Sequence, residues 1–389
     1  MPVTAVATDR VSSVIKYALI RVLAPTYAMM LAATAIAQPT SYTDPEDGAF
    51  DMSDYLLNRK GVFPVPVIIT EPAVGFGGGA MLMYFSESLA EADEKAKQAG
   101  EPVAHPNVTG IGAVATRNGT RGGGLFHTRS WDNDRFRYMG ALAHAKVNLD
   151  YYGPFNQGRG YELTGTFLVQ QLLTRLGKSR WYIGPRYTYF RSDTRVTGQP
   201  AAEFGLEDKK LSVGKLGLVI DYDSRDNLFY PTKGSYAEVE AQFARGWLGG
   251  SRSFETYRAR GFTWLPIHPK WTLGLRVDGQ TTRGAVPFYA QPSVNLRGVS
   301  RGRYQDQTAL VAETELRWNV TPRWSLLGFT GIGKAYGRWK SFSDASNVSS
   351  VGVGFRYLIA RKLGLAVGID VAHSKDQNAF YIQIGSAWR

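Results

Sequence analysis

Two-residue alternation, sustained over runs of about 10–14 residues, limits what this chain can become more than any other property. In 310–320 the odd positions hold Val311, Glu313, Glu315, Arg317 and Asn319. The even ones hold Leu310, Ala312, Thr314, Leu316, Trp318 and Val320. Successive side chains of a strand point to opposite faces, so one face is charged and the other almost wholly apolar. The split recurs in 236–243, where Ala237, Val239, Ala241 and Phe243 oppose Glu238, Glu240 and Gln242. It returns in 271–280 and in 363–371, where Leu363, Leu365, Val367, Ile369 and Val371 share one face and Asp370 takes the other. A helical bundle does not fit this pattern, nor do 43 glycines among 389 residues. The absence of cysteine excludes a disulfide scaffold, a cysteine nucleophile and thiolate zinc sites.

Alternation is shared by soluble sandwiches and membrane barrels. Length separates them: the usual strand has about 5–6 residues, whereas these runs match a tilted strand crossing a bilayer. Aromatic residues sit near the run ends (Trp131, Tyr138, Trp181, Phe190, Trp264, Trp271, Trp318, Trp324 and Trp388), as interfacial girdles require. The fold class is therefore all-β, a transmembrane antiparallel barrel. Runs are read at 72–87, 107–117, 121–130, 135–148, 160–173, 179–191, 209–222, 234–246, 252–265, 270–283, 308–320, 322–335, 348–360, 363–373 and 377–388, which makes fifteen. Bacterial single-chain barrels have an even number. Phe63–Thr70, whose two prolines suit only an edge strand, brings the count to sixteen, with fourteen as the other even count in reach.

The N-terminus reads as an export leader. Arg10, Lys16 and Arg21 precede a largely apolar stretch from Val22 to Ala37, ending in Ala35-Ile36-Ala37. The expected organisation is a signal peptide over 1–37, a short periplasmic tail over 38–62, and a barrel over 63–389. Longer connections are expected at 88–106, 192–208, 284–307 and 337–347, with a helical turn or two inside 89–99.

The densest local motif is Asp223-x-Arg225-Asp226-Asn227-x-x-x-Pro231-x-x-Gly234. A calcium loop starting at Asp221 would need glycine sixth and glutamate twelfth, but Asp226 and Thr232 stand there. It reads instead as a turn closed by Asp and Asn side chains. The second motif is Leu296-Arg297-Gly298 with Gly302-Arg303-Tyr304, in the long connection before the run at 308. Then come Glu315-x-Arg317-Trp318, Gly328-Phe329-x-x-x-Gly333, Val351-Gly-Val-Gly-Phe355-Arg356, Asp370-Val-Ala372 and Phe380-Tyr-Ile-Gln-Ile-Gly385. In order and spacing this series resembles the C-terminal half of the BamA/TamA-like outer-membrane proteins, the bacterial surface antigen family, over about 209–389.

That resemblance implies a sixteen-stranded barrel whose loop carrying Arg297 and Gly298 folds into the lumen. There the arginine would pair with a carboxylate of the inner wall. The family's usual aspartate aligns with Gly331, so Glu313, Glu315 or Asp370, all on the lumen face, would substitute. The resemblance also implies lateral opening at a weak seam between first and last strands. Gly77, Gly78 and Gly79, the prolines Pro64 and Pro66, and Gly385 would weaken it, with Phe380, Ile382, Ile384 and Trp388 on one face of the last strand; the other reading of the glycines is that they only relieve crowding at a curved wall.

The family's larger members carry POTRA repeats that collect unfolded clients; 38–62 is too short for one, so the chain reads as a short form. Its expected role is outer-membrane biogenesis, as insertion or translocation of protein or lipid through a loop-plugged barrel. The alternative is a passive pore or structural barrel. Expected partners are outer-membrane lipids, including anionic head groups that would account for the net charge of +12, and unfolded outer-membrane proteins or a separate periplasmic factor. The dispersed basic residues do not point to nucleic acid. No cofactor or catalytic set is expected: Gly75–Gly79 lacks the Lys-Ser/Thr and helix of a phosphate loop, His373 is adjacent to Ser374 and not opposed to it, and His127 and His144 lack an evident serine partner.

Overall fold

A computed structural model describes residues 42–98, 107–155, 157–199 and 202–388. The leader expected at 1–37 lies outside them. Sixteen strands follow in chain order: β1 (Gly61–Ile69), β2 (Gly77–Phe85), β3 (Val108–Thr116), β4 (Arg121–Trp131), β5 (Phe136–Tyr151), β6 (Arg159–Arg175), β7 (Trp181–Val196), β8 (Lys209–Asp223), β9 (Gly234–Ala244), β10 (Phe254–His268), β11 (Trp271–Gly284), β12 (Thr308–Asn319), β13 (Trp324–Tyr336), β14 (Val348–Ala360), β15 (Leu365–Ser374) and β16 (Asn378–Ile384). Two helices stand among them, α1 (Ser53–Leu57) between the tail and β1, and α2 (Leu89–Gln98) after β2. Every strand pairs antiparallel with its sequence neighbour in one sheet. The result is an all-β, sixteen-stranded, nearly closed barrel.

The alternation sets the two faces. Val239, Val277, Ile332, Val353 and Val371 are all more than half exposed, on the outside. Residues on the opposite face of the sheet, Glu238 of β9, Glu313, Glu315 and Arg317 of β12, and Asp370 of β15, are almost fully buried inside. Register carries the pattern across the sheet: Leu82 faces Ile111, Ile111 faces Leu125, and Leu125 faces Leu142, all exposed.

An even strand count puts both chain ends at one rim, here the terminal rim; the other is the loop rim. Trp131, Trp181, Trp271, Trp318 and Trp324 all lie at strand ends on the terminal rim, and Trp271 stacks on Trp318 with centroids 5.6 Å apart. Trp264 and Trp388 do not join this girdle: they are 1% and 4% exposed, inside the barrel.

Three expectations need correction. The barrel starts at Gly61, so residues 61–62 belong to β1 and not to the tail. The run at 72–87 is shorter: 71–75 form a turn in which the Glu71 carbonyl accepts from Val74 and Gly75, the latter at φ +75°. Gly77, Gly78 and Gly79 lie in β2, laddered to β1 on one side and β3 on the other, and so stand one strand in from the seam.

β1 and β16 are the two ends of the strand order, and no ladder joins them among the described residues. Pro64 and Pro66 are two apart, so both missing N–H donors fall on the same edge of β1. Edge strands tolerate this when that edge faces away from the ladder.

Candidate functional site

The connection 285–307 leaves the loop rim and enters the lumen, where Val294, Leu296 and Val299 pack with Val311 and Val348. This apolar anchor holds Arg297 at 8% exposure against the inner wall. Its Nε donates to Glu313 Oε1 (2.7 Å) and its Nη1 to Asp370 Oδ2 (2.9 Å), while Glu315 Oε2 lies 2.8 Å from Nη1. One guanidinium thus gathers all three candidate carboxylates. Its flat face lies 3.5 Å from the centre of the Phe329 ring, which covers it from water.

Three further cations balance the carboxylates. Arg276 donates to Glu313 Oε2 (3.0 Å), Arg356 forks onto Asp370 (2.6 and 3.0 Å), and Arg317 lies 3.9 Å from Glu315. A buried guanidinium needs such a shell, because desolvation outweighs any single pair. The wall position aligned with the family aspartate, Gly331, has no room for one: a Cβ there would lie 2.6 Å from Leu296 Cδ2. The carboxylates come instead from β12 and β15.

Gly298 makes the close approach that follows. At φ +87° it donates its N–H to the Tyr381 hydroxyl of β16 (2.8 Å), and its carbonyl accepts from Ser374 Oγ (2.7 Å). Nearer the loop rim, the Tyr304 hydroxyl donates to Asp376 (2.5 Å) and Arg303 lies 3.5 Å from the same carboxylate. The loop is therefore fastened to the last two strands as well as to β12.

The last residues depart from expectation. β16 ends at Ile384, and Gly385 turns the chain inward at φ +77°. Trp388 therefore leaves the face shared by Phe380, Ile382 and Ile384. It packs with Phe262 and Trp264, and its indole N–H donates to Glu313 Oε2 (3.0 Å).

The Asp223–Gly234 motif builds the floor beneath. Arg225 forks onto Asp223 (2.9 and 2.7 Å). Asp226 accepts from the Thr232 and Lys233 amides, and Asn227 Oδ1 from those of Phe229 and Tyr230. So shaped, the turn reaches across the terminal rim. Asn227 donates to the Leu363 carbonyl, the Pro231 carbonyl accepts from Arg317 (3.0 Å), and the Phe229 carbonyl accepts from the Ser386 amide (2.6 Å). Gly234 sits at φ +100°, where a Cβ would meet the Ser224 carbonyl at 2.1 Å.

These features occupy the segment that matches the model of the Omp85 superfamily domain, residues 113–388. The chain belongs to the Omp85 superfamily. Barrel proteins of this superfamily reside in the outer membrane. Among solved structures, BamA from Haemophilus ducreyi lacking POTRA domains 1-3 matches at TM-score 0.60 and 11% identity, over 84% of this chain and 70% of that one. CdiB from Acinetobacter baumannii matches at TM-score 0.57 and 10% identity, over 84% of this chain and 60% of that one. CdiB from Escherichia coli matches at 0.55 and 9%, over 82% and 61%. At these identities the likeness is one of fold. No curated protein sequence matches.

Sequence reading of this Omp85 chain found the loop arginine and its carboxylates because family motif and strand parity both point at them. It missed Arg276, Arg356 and Trp388. The two arginines lie on lumen faces, but parity alone does not say which charges meet. Trp388 was masked by reading alternation through Gly385.

Proposed function

We propose that this Omp85 barrel is exported to the outer membrane and serves its biogenesis, as a gated channel that inserts or translocates protein or lipid. Residues 1–37 would act as the cleaved leader, and the terminal rim would face the periplasm. The observation that carries the reading is a lumen locked by a strand-end contact. Arg297 ties the inserted loop to β12 and β15, Gly298 ties it to β16, and β16 has no ladder to β1 among the described residues. Moving the last strand away from β1 would pull on the loop through Tyr381, so opening the seam and unplugging the lumen are coupled. The role is mechanical rather than catalytic. Clients would be unfolded outer-membrane proteins or lipids, delivered at the terminal rim by a separate periplasmic factor.

The test is planar-bilayer conductance of refolded 38–389 beside a version lacking 288–304. A small flickering current that becomes large and steady on deletion supports the gate. A large ohmic current in both makes the protein a passive pore and overturns the reading.

A further inference from the structure

The inner wall is not uniform. From β7 to β15 it carries a near-continuous band of ion pairs, among them Arg186 with Glu240, Arg260 with Glu238, and Arg258 with Asp278. The inward positions of β1–β4 carry no charged side chain at all. Phe63, Val65 and Val67 of β1, and Met81, Met83 and Phe85 of β2, face the lumen and are partly exposed there. The interior of a water-filled barrel is polar, so partly exposed valine, methionine and phenylalanine on this wall need another explanation.

β1 makes the point most sharply. Its sequence, GVFPVPVII, has no polar side chain on either face. Strands apolar on both faces are those buried on both. The outside of β1, with Val62 at 63% and Ile68 at 38% exposure, would be covered by the bilayer. The inside needs a second apolar cover. α1 supplies part of it at the terminal rim, where the Tyr55 ring lies 5.7 Å from that of Phe63.

We infer that the lumen wall of β1–β4 binds the acyl chains of a phospholipid, with its head group turned toward the charged band across the lumen. An amphiphile fits such a two-sided interior. Hydrocarbon needs no hydrogen-bond partners, and the inward side chains of β1 and β2 offer none; the few hydroxyls of the wall, Thr116, Thr128 and Ser130, lie on β3 and β4. A polypeptide strand would pair along the open edge of β1 and not across this face. The inferred site lies beside the unladdered β1–β16 boundary, where the bilayer adjoins the lumen. It rests on the gated reading only for that route of entry.

The test refolds the full chain with a phosphatidylethanolamine bearing a diazirine on its acyl chain, then moves it into nanodiscs of unlabelled lipid. Photolysis and peptide mass spectrometry locate the label. Refolding with the probe fills the site whether or not the seam opens, so a negative result counts against the site and leaves the gate standing. The expected result is label on Val65, Met81 and Met83. Met81→Gln with Met83→Gln should cut label on the other inward residues about ten-fold, because an unpaired amide is costly against hydrocarbon. Val65→Thr, nearly the same shape, tests the point again if the double variant does not fold. Label confined to outward Val62, Leu82 and Tyr84 overturns the inference. So does a crosslink from this wall to residues 22–37, which would make the occupant the chain itself.

Discussion

Trp388, entering the lumen from the terminal rim, and Arg297, entering from the loop rim, hydrogen-bond to the two oxygens of one carboxylate, that of Glu313. The C-terminus and the inserted loop therefore meet at one side chain. Trp388→Phe keeps the ring and removes the donor. Paired with Arg297→Lys in a double-mutant cycle, it should show a coupling of about 0.5–3 kcal/mol in urea unfolding, the range for groups sharing one network. Simple additivity would mean that Glu313 serves the two partners independently.

Arg297→Ala leaves Glu313, Glu315 and Asp370 facing one another with their shared cation gone. Breaking a buried pair in this way costs about 3–5 kcal/mol. Lysine should restore little of it, since one ammonium cannot fork to three carboxylates as a guanidinium does. Urea unfolding in lipid measures both variants. Conductance separates stability from gating: Arg297→Ala should raise open probability even where the barrel remains folded.

Much of this architecture was legible because a barrel wall converts sequence parity directly into an inside and an outside. Glu313, Glu315 and Asp370 could be placed in the lumen without any knowledge of tertiary structure, and sixteen runs could be counted. Parity fails where the strand stops. Gly385 ends the alternation, and a Cβ there would lie 2.4 Å from the Phe229 carbonyl, a contact across 156 positions of sequence that no local pattern announces. Gly77–Gly79 left two readings open for the opposite reason: glycine density fits a weak edge or relief of crowding, and the glycines sit between two ladders, where their missing side chains relieve crowding against Val114 and Thr116.

Gly385→Ala follows from that contact. The residue sits at φ +77°, a conformation costing a side-chain-bearing residue about 1–2 kcal/mol before any clash with Phe229. The simplest relief is to straighten the last strand, which withdraws Trp388 from Glu313. Acrylamide quenching compared in chains with and without Trp388→Phe isolates this indole. It should be protected in the parent and accessible in Gly385→Ala. An equally protected indole in both would show that the bend does not depend on glycine.

The tail is held by charge, so its attachment should depend on pH. Arg323, at the turn between β12 and β13, donates to Asp44 (2.5 Å), Asp47 (2.5 Å) and Asp51, and Arg361 donates to Asp44 (2.6 Å). Hydrogen bonding to Arg361, then to the Glu46 amide, holds the Asp44 carboxyl down at about 2, against an ordinary 3.8. Arg323 lowers Asp47 likewise. Burial pushes Asp51 up, but bonds from Ser53, Arg323 and the Arg361 amide outweigh it and leave it lowered. A depressed carboxylate stabilises the docked state fully above its unfolded pKa, and the stabilisation is lost as pH falls through the folded one. Docking should therefore be constant from pH 8 to about 5 and weaken between about 4 and 2. A nitroxide at position 50 reads this by its mobility. Arg323→Gln should give the mobile spectrum already at pH 7 and little further change at pH 2. A spectrum immobile at both pH values in that variant would mean that α1 packing, not the three aspartates, holds the tail.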